Sequence, residues 1–385
     1  MAQLLDAQRI LHGAAARLGL GAFLTGDVAR RFSVYIDRFN ASGAIADDDF
    51  PRAHEQMENF IGKRLALTRD WIIHPEIQAQ QIHEPLFVIG QPRSGTTVLQ
   101  CLLALGEGYR MPRYWETRRP SPPPGENPHA DELAKIAETL HIEELLRLAP
   151  RLLSAHPFLD HGGMSEAECE DLMTLDFHAL HTLHFTRVPS LPYPTPPADG
   201  VAAFRFHKKM LQQFQWRTPT ERWVCKGTTH VCNLEALWDV YPDATCFWTH
   251  RSPEDYFASF FVMMEVLYRP VNRNLYKEVD VRGVIAQMSL AYDAILQSKW
   301  IDDPRMCHIR FKDLVRDPVR TIGDSLAARK ITFTPAHEAA IRDWTADPAH
   351  RSDRYGKFEY CLEQFGLSPI DIRTAFARYY ERFRL

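Results

Sequence analysis

The stretch PLFVIGQPRSGTTVLQCLL, residues 85–103, decides the fold. Leu86–Gly90 is a short apolar run closed by glycine, the pattern of a strand buried on both faces. From Gly95 onward, Val98, Leu99, Leu102 and Leu103 share one helical face. Between the two lies Gly90-Gln91-Pro92-Arg93-Ser94-Gly95-Thr96-Thr97, a loop that leaves a strand and opens a helix. Such a loop turns backbone N–H groups toward an anion, and the helix dipole adds to the attraction. Its glycines keep the spacing of GxxxxGK[ST], but Thr96 stands where that pattern has lysine. An NTPase sets that lysine on the β- and γ-phosphates, so its loss argues against ATP or GTP hydrolysis. Arg93 supplies the cation instead, and a guanidinium forks onto a terminal phosphate or sulfate.

Working outward, β-α-β character returns in the second half. Arg222–Lys226, Ala244–Thr249 and Met306–Phe311 read as strands. Val231, Leu234, Leu237, Trp238 and Tyr241 form a helical stripe between the first two. Alternating strands and helices predict an α/β fold: a three-layer P-loop-type core with a central parallel sheet and helical additions. Ligands in such sheets sit at the carboxyl ends of the strands. Residues 1–84 read as a helical extension with a polar turn at Ala46–Phe50, and Leu4, Leu5, Ile10, Leu11 and Leu18 as the apolar side of its first helix. A Pro-rich loop spans Pro120–Pro128, helical patterns run from about 130 to 186, and a second Pro-rich stretch covers Pro189–Pro197. The expected organisation is a single domain over 1–385. Residues 85–120 and 220–370 form its α/β core, and 125–215 a helical and loop insertion.

Composition narrows the function. A formal charge of -4 leaves no basic footprint, so no nucleic acid is expected as partner. No stretch reaches the ~20 apolar residues of a membrane span, and the first twenty residues lack the pattern of a signal peptide. The seven cysteines are odd in number and scattered, without a CxxC pair, which suggests reduced thiols in a cytoplasm.

A second motif, Thr245–Ser259, follows a strand. Ser252 reads as an N-cap, Pro253 as the first helical residue, and Asp255 completes a capping-box-like pattern. Arg251 therefore stands at a strand end beside a helix N-terminus, a place for a second phosphate. Together the two motifs resemble the PAPS-dependent sulfotransferases, in the PRSGTT form shared by bacterial and tyrosylprotein members. The resemblance covers residues 85–120 and 220–370. It implies a donor, PAPS, whose 5′-phosphosulfate meets Arg93, Ser94, Gly95, Thr96 and Thr97, and whose 3′-phosphate meets Arg251 and Ser259. It implies that a basic tail segment closes over the 3′-phosphate, with Arg351 and Arg354 as candidates. Arg310–Pro318 is similar to the family's strand-turn-helix segment and reads as structural.

The implied reaction moves a sulfuryl group to a hydroxyl acceptor, a small molecule or glycolipid, with no metal required. Lys226 resembles a family lysine that meets the sulfate or bridging oxygen, although Gly227-Thr228 replaces the usual Ser-Pro. Two residues are candidates for the general base. His230 falls near the base histidine of the cytosolic branch, offset by two residues. Glu116 lies in the window after the PRSGTT loop where tyrosylprotein-type members carry a glutamate. Ser165–Asp171 reads as a capping box at Ser165 and Glu168 with an acidic first turn, and less readily as a source of a catalytic carboxylate. His178, His181 and His184 approximate one helix face, more a pocket wall than a metal site. Phe257, Phe260, Phe261, Met263, Met264, Leu267 and Tyr268 read as core. Pro189–Pro197 and Tyr268–Tyr276 are candidates for a lid. The competing readings are a P-loop small-molecule kinase and a non-catalytic nucleotide-binding protein.

Overall fold

The computed structural model describes residues 4–41, 50–178, 197–271 and 280–385. Five strands form one parallel sheet: β1 (Leu86–Gly90), β2 (Tyr109–Arg110), β3 (Arg222–Gly227), β4 (Thr245–His250) and β5 (Met306–Arg310). Their order is β2-β3-β1-β4-β5. The decisive first strand is thus central, with Phe87 level with Cys225 on one side and Cys246 on the other. All five of its residues are buried, as two-sided coverage of a parallel sheet requires.

Side-chain alternation assigns the two faces. Phe87, Ile89, Cys225 and Trp248 pack on one side, against the N-terminal helices and the C-terminal helix Ala377–Phe383. Leu86, Val88, Val224 and Phe247 pack on the other, with Leu99, Leu102, Ile322 and Ile341. This is the expected three-layer core. Among the described residues, no helix is long and apolar enough to cross a membrane.

Several boundaries depart from expectation. β2 has only two residues, too few to show a period in sequence. Phe311 leaves the strand and opens the helix Phe311–Arg316. The pattern from 130 to 186 is broken, not continuous. Helix Pro128–Leu148 gives way to Leu152–Ala155, a 3-10 segment Pro157–Met164 and helix Cys169–Thr174. Pro150 and Pro157 interrupt the helical ladder, and Gly162 turns through a positive φ of 57°. In the first helix, Ala7–Arg17, the buried side is Ile10, Leu11, Ala14 and Ala15, whereas Leu4 and Leu18 are exposed. Of the turn expected at Ala46–Phe50, Phe50 opens the helix Phe50–Ile73 and the rest lies outside the described residues. So do His181 and His184, and both lid candidates apart from helical backbone at Pro197 and 268–271.

The N-terminal helices are fastened to the insertion by one carboxylate. Asp176 accepts from Arg31 at 2.9 Å and Arg64 at 2.6 Å. Burial alone would raise its pKa, but His178 and the two arginines hold it down at about 2.

Candidate functional site

A cavity of about 950 Å³ opens at the carboxyl ends of β1, β3 and β4. Its floor is the loop after β1. Gly95 takes a φ of +88°, and a Cβ there would lie 2.6 Å from the Phe311 ring, so both conformation and space demand glycine. Helix Thr96–Leu103 starts directly after it, and its first amides have no carbonyl partner within the helix. Thr96 and Thr97 face the cavity. Ser94 does not line it. Its buried hydroxyl donates to Gln91 O at 2.6 Å and sits 2.7 Å from Thr249 Oγ1, tying the loop to β4.

The two sequence motifs meet at Arg93. Its Nε donates to Ser259 Oγ at 2.9 Å, and its carbonyl accepts from Arg251 Nη1 at 2.8 Å. Arg251 also donates to Tyr360 Oη at 2.9 Å and lies over the Phe311 ring. Burial and the neighbouring Arg251 depress the Arg93 pKa to about 10. Two guanidinium groups held together in a partly buried site make a strong demand for an anion.

Behind the other wall, the buried Lys226 Nζ donates to Glu168 Oε1 at 2.7 Å and to Thr97 Oγ1 at 3.0 Å. Burial works to lower the Lys226 pKa, but the Glu168 carboxylate outweighs it and the net shift is upward, so the ammonium stays charged. Glu168 and Thr228 line the cavity. The turn carrying Thr228 is fixed by Glu170, whose Oε1 accepts from Thr229 N and Thr229 Oγ1, each at 2.8 Å. His156 lines the same space; burial, then Lys226 and Arg93, drive its pKa to about 4 and keep it neutral.

Neither residue expected as a base reaches this cavity. Glu116 is buried in helix Tyr114–Arg118, bonded to Arg110 and accepting from Arg113 N at 2.9 Å. It closes a capping box on its own helix, while Arg118 and Arg119 both donate to Glu138. His230 folds back beneath Gly227 and packs on Phe204 and Phe87, with ring centroids 4.9 and 5.6 Å away. The capping box expected at Ser165 lies at Glu168 and Asp171 instead. Ser165 donates to Phe158 O and Gly162 O, because a 3-10 segment ends there.

In the tail segment, Arg354 is spent on Asp160, at 2.9 Å through both Nε and Nη2. Arg351, paired with Asp353, and Lys357 lie at the cavity rim. Phe260, Phe261, Met263 and Met264 form cavity wall as well as core. Sequence reading missed Lys357 and Phe311. It also set Glu168 aside, because an acid at a helix start is ordinarily a cap; only the fold reveals that it faces Lys226.

The sequence matches the sulfotransferase family over residues 85–335. The structure superposes on a crystal structure of sulfotransferase STF9 from Mycobacterium avium with a TM-score of 0.80, at 24% identity, covering 99% of this chain and 97% of that one. Sulfotransferase STF1 from Mycobacterium tuberculosis H37Rv gives a TM-score of 0.76 at 20% identity, covering 98% and 100%. Both likenesses speak to the fold. No curated protein matches the sequence.

Proposed function

This chain belongs to the sulfotransferase family, and from that premise we propose that it transfers a sulfuryl group from PAPS to a hydroxyl acceptor. The observation that carries the reading is one cavity with Arg93 and Arg251 on one side, joined through Arg93 to Ser259, and on the other Glu168 bonded to the buried Lys226. Arg93 and the amides opening helix Thr96–Leu103 hold the 5′-phosphosulfate. Arg251 holds the 3′-phosphate, with Ser259 bracing Arg93, and Arg351 and Lys357 close over it from the rim.

The acceptor oxygen attacks sulfur in line with the bridging oxygen of the donor. Its proton passes to Glu168. The new O–S bond forms as the bridging S–O bond breaks, and the electron pair leaves with the 5′-phosphate of PAP. Lys226 moves from Glu168 to the bridging oxygen, where charge develops. That shift frees the carboxylate at the moment it must accept a proton. The base role thus passes from Glu116 and His230 to Glu168, which faces the cavity. No step calls for a metal. The wall of Phe260, Met263, Met264 and Met288 favours an acceptor that presents its hydroxyl on an apolar body, such as a phenol or lipid alcohol.

The test is incubation with PAPS labelled in the sulfuryl group and a panel of phenols, sugars and lipid alcohols. Label should pass to at least one class, with apolar acceptors ahead of sugars. Magnesium-dependent phosphoryl transfer from ATP, with no sulfuryl transfer, would support a kinase instead.

A further inference from the structure

Behind the reacting pair, on the far side of β3, lies a group of side chains the reaction does not use. Cys169, His207 and Cys225 each offer one ligand atom, and these atoms all lie within 4.8 Å of one another. They come from three elements: Cys169 opens helix Cys169–Thr174, His207 lies in helix Pro197–Gln215, and Cys225 is in β3. His230 adjoins them, its ring centroid 6.5 Å from that of His207. All four are essentially inaccessible to solvent.

Two buried nitrogens here lack partners. His207 Nε2 and His230 Nε2 have no hydrogen-bond partner among the described residues. His207 Nδ1 lies 2.8 Å from Tyr241 Oη, an outer hydrogen bond of the kind that orients a metal-binding imidazole and leaves its other nitrogen to the metal. An unpaired imidazole nitrogen in an apolar core is costly, and a metal removes that cost.

We propose that Cys169, His207, Cys225 and His230 form a closed structural site for a thiophilic metal ion, with zinc as the fitting occupant. Zinc takes a mixed thiolate and imidazole set in tetrahedral geometry, at ~2.3 Å from sulfur and ~2.0 Å from nitrogen. Ligand atoms then stand about 3.5 Å apart, closer than the present spacing of up to 4.8 Å for the Cys169, His207 and Cys225 atoms. Each thiol releases its proton to the buffer as the metal binds.

The position gives the site a purpose. Cys169 adjoins Glu168 in sequence, and Cys225 adjoins Lys226. A metal joining the two cysteines would lock the two elements that present the Glu168–Lys226 pair, without entering the cavity. Sequence reading expects no metal: the family resemblance implies that none is required, and the scattered cysteines form no CxxC pair.

The test is metal analysis of tag-free protein produced in zinc-supplemented medium. About one zinc per chain is expected in wild type, and less than a tenth of that in Cys169→Ser and Cys225→Ser. Cobalt replacement in the wild-type chain covers the case in which those variants fail to fold: a thiolate-to-cobalt charge-transfer band is expected. Removal by a chelator should lower Tm, and zinc should restore it in wild type but not in His207→Gln. A metal-free wild type whose Tm ignores added zinc overturns the proposal. So does bound metal that survives both cysteine substitutions, or cobalt protein without the thiolate band. None of these readouts depends on PAPS, so failure of the sulfuryl-transfer reading would leave them unaffected.

Discussion

Glu116 and Glu168 stand at the starts of two short helices, Tyr114–Arg118 and Cys169–Thr174, and each belongs to a capping box. Glu116 bonds back to its own cap and to Arg110; Glu168, while capping its helix, also reaches Lys226 at 2.7 Å and faces the cavity. The two helices use the same local device for different ends. Both carboxylates bond within their own helix, as the reciprocal box requires, and Glu168 reaches Lys226 as well. What a carboxylate can do thus depends on the strand brought opposite it, and β3 brings Lys226 to only one of them.

The sharpest way to break this comparison is to neutralise each carboxylate in turn. Glu168→Gln should lower kcat by about 10²–10⁴ while PAP affinity stays close to wild type. Glu116→Gln should leave kcat per folded molecule unchanged and destabilise the fold by about 1–3 kcal/mol, read as a lower Tm. A selective loss of turnover in Glu116→Gln would reverse the assignment. Lys226→Ala should reduce kcat by about 10²–10³, again with PAP binding retained. On the donor side, Arg251→Ala should weaken PAP by about 10- to 100-fold, the equivalent of a charge-assisted hydrogen bond. Adenosine 5′-phosphosulfate, which lacks the 3′-phosphate, should be nearly indifferent to it. Equal weakening of both would remove Arg251 from the 3′-phosphate.

The smallest effect tests the N-terminal layer. Asp176 has a folded pKa of about 2, below its ordinary 3.8. A depressed carboxylate contributes stability above its unfolded pKa and loses it as pH falls through the folded one. That contribution, roughly 2 kcal/mol, should be complete at pH 5 and vanish toward pH 2. Thermal unfolding of wild type and Asp176→Asn should converge across that window; a gap independent of pH would contradict the linkage.

Much of the core was legible because its signals are local. β1 announces itself as an apolar run closed by Gly90, and the Arg251–Ser259 spacing survives any loop between. The missed parts depend on juxtaposition. β2 exists only as two residues paired to β3. Glu168 meets Lys226 across 58 residues of chain. The Cys169, His207 and Cys225 group is assembled from three elements. Arg354 reads in sequence as a candidate phosphate ligand, but the fold sets Asp160, 194 residues away in the chain, against its guanidinium.

The central claim is that the paired guanidiniums of Arg93 and Arg251 await a nucleotide bearing both 5′- and 3′-phosphates. Calorimetric titration of the purified protein with PAP, AMP, ADP and ATP, each with and without added magnesium, tests it most directly. Selective binding of PAP is the predicted result. Preferential, magnesium-dependent binding of ATP would contradict it.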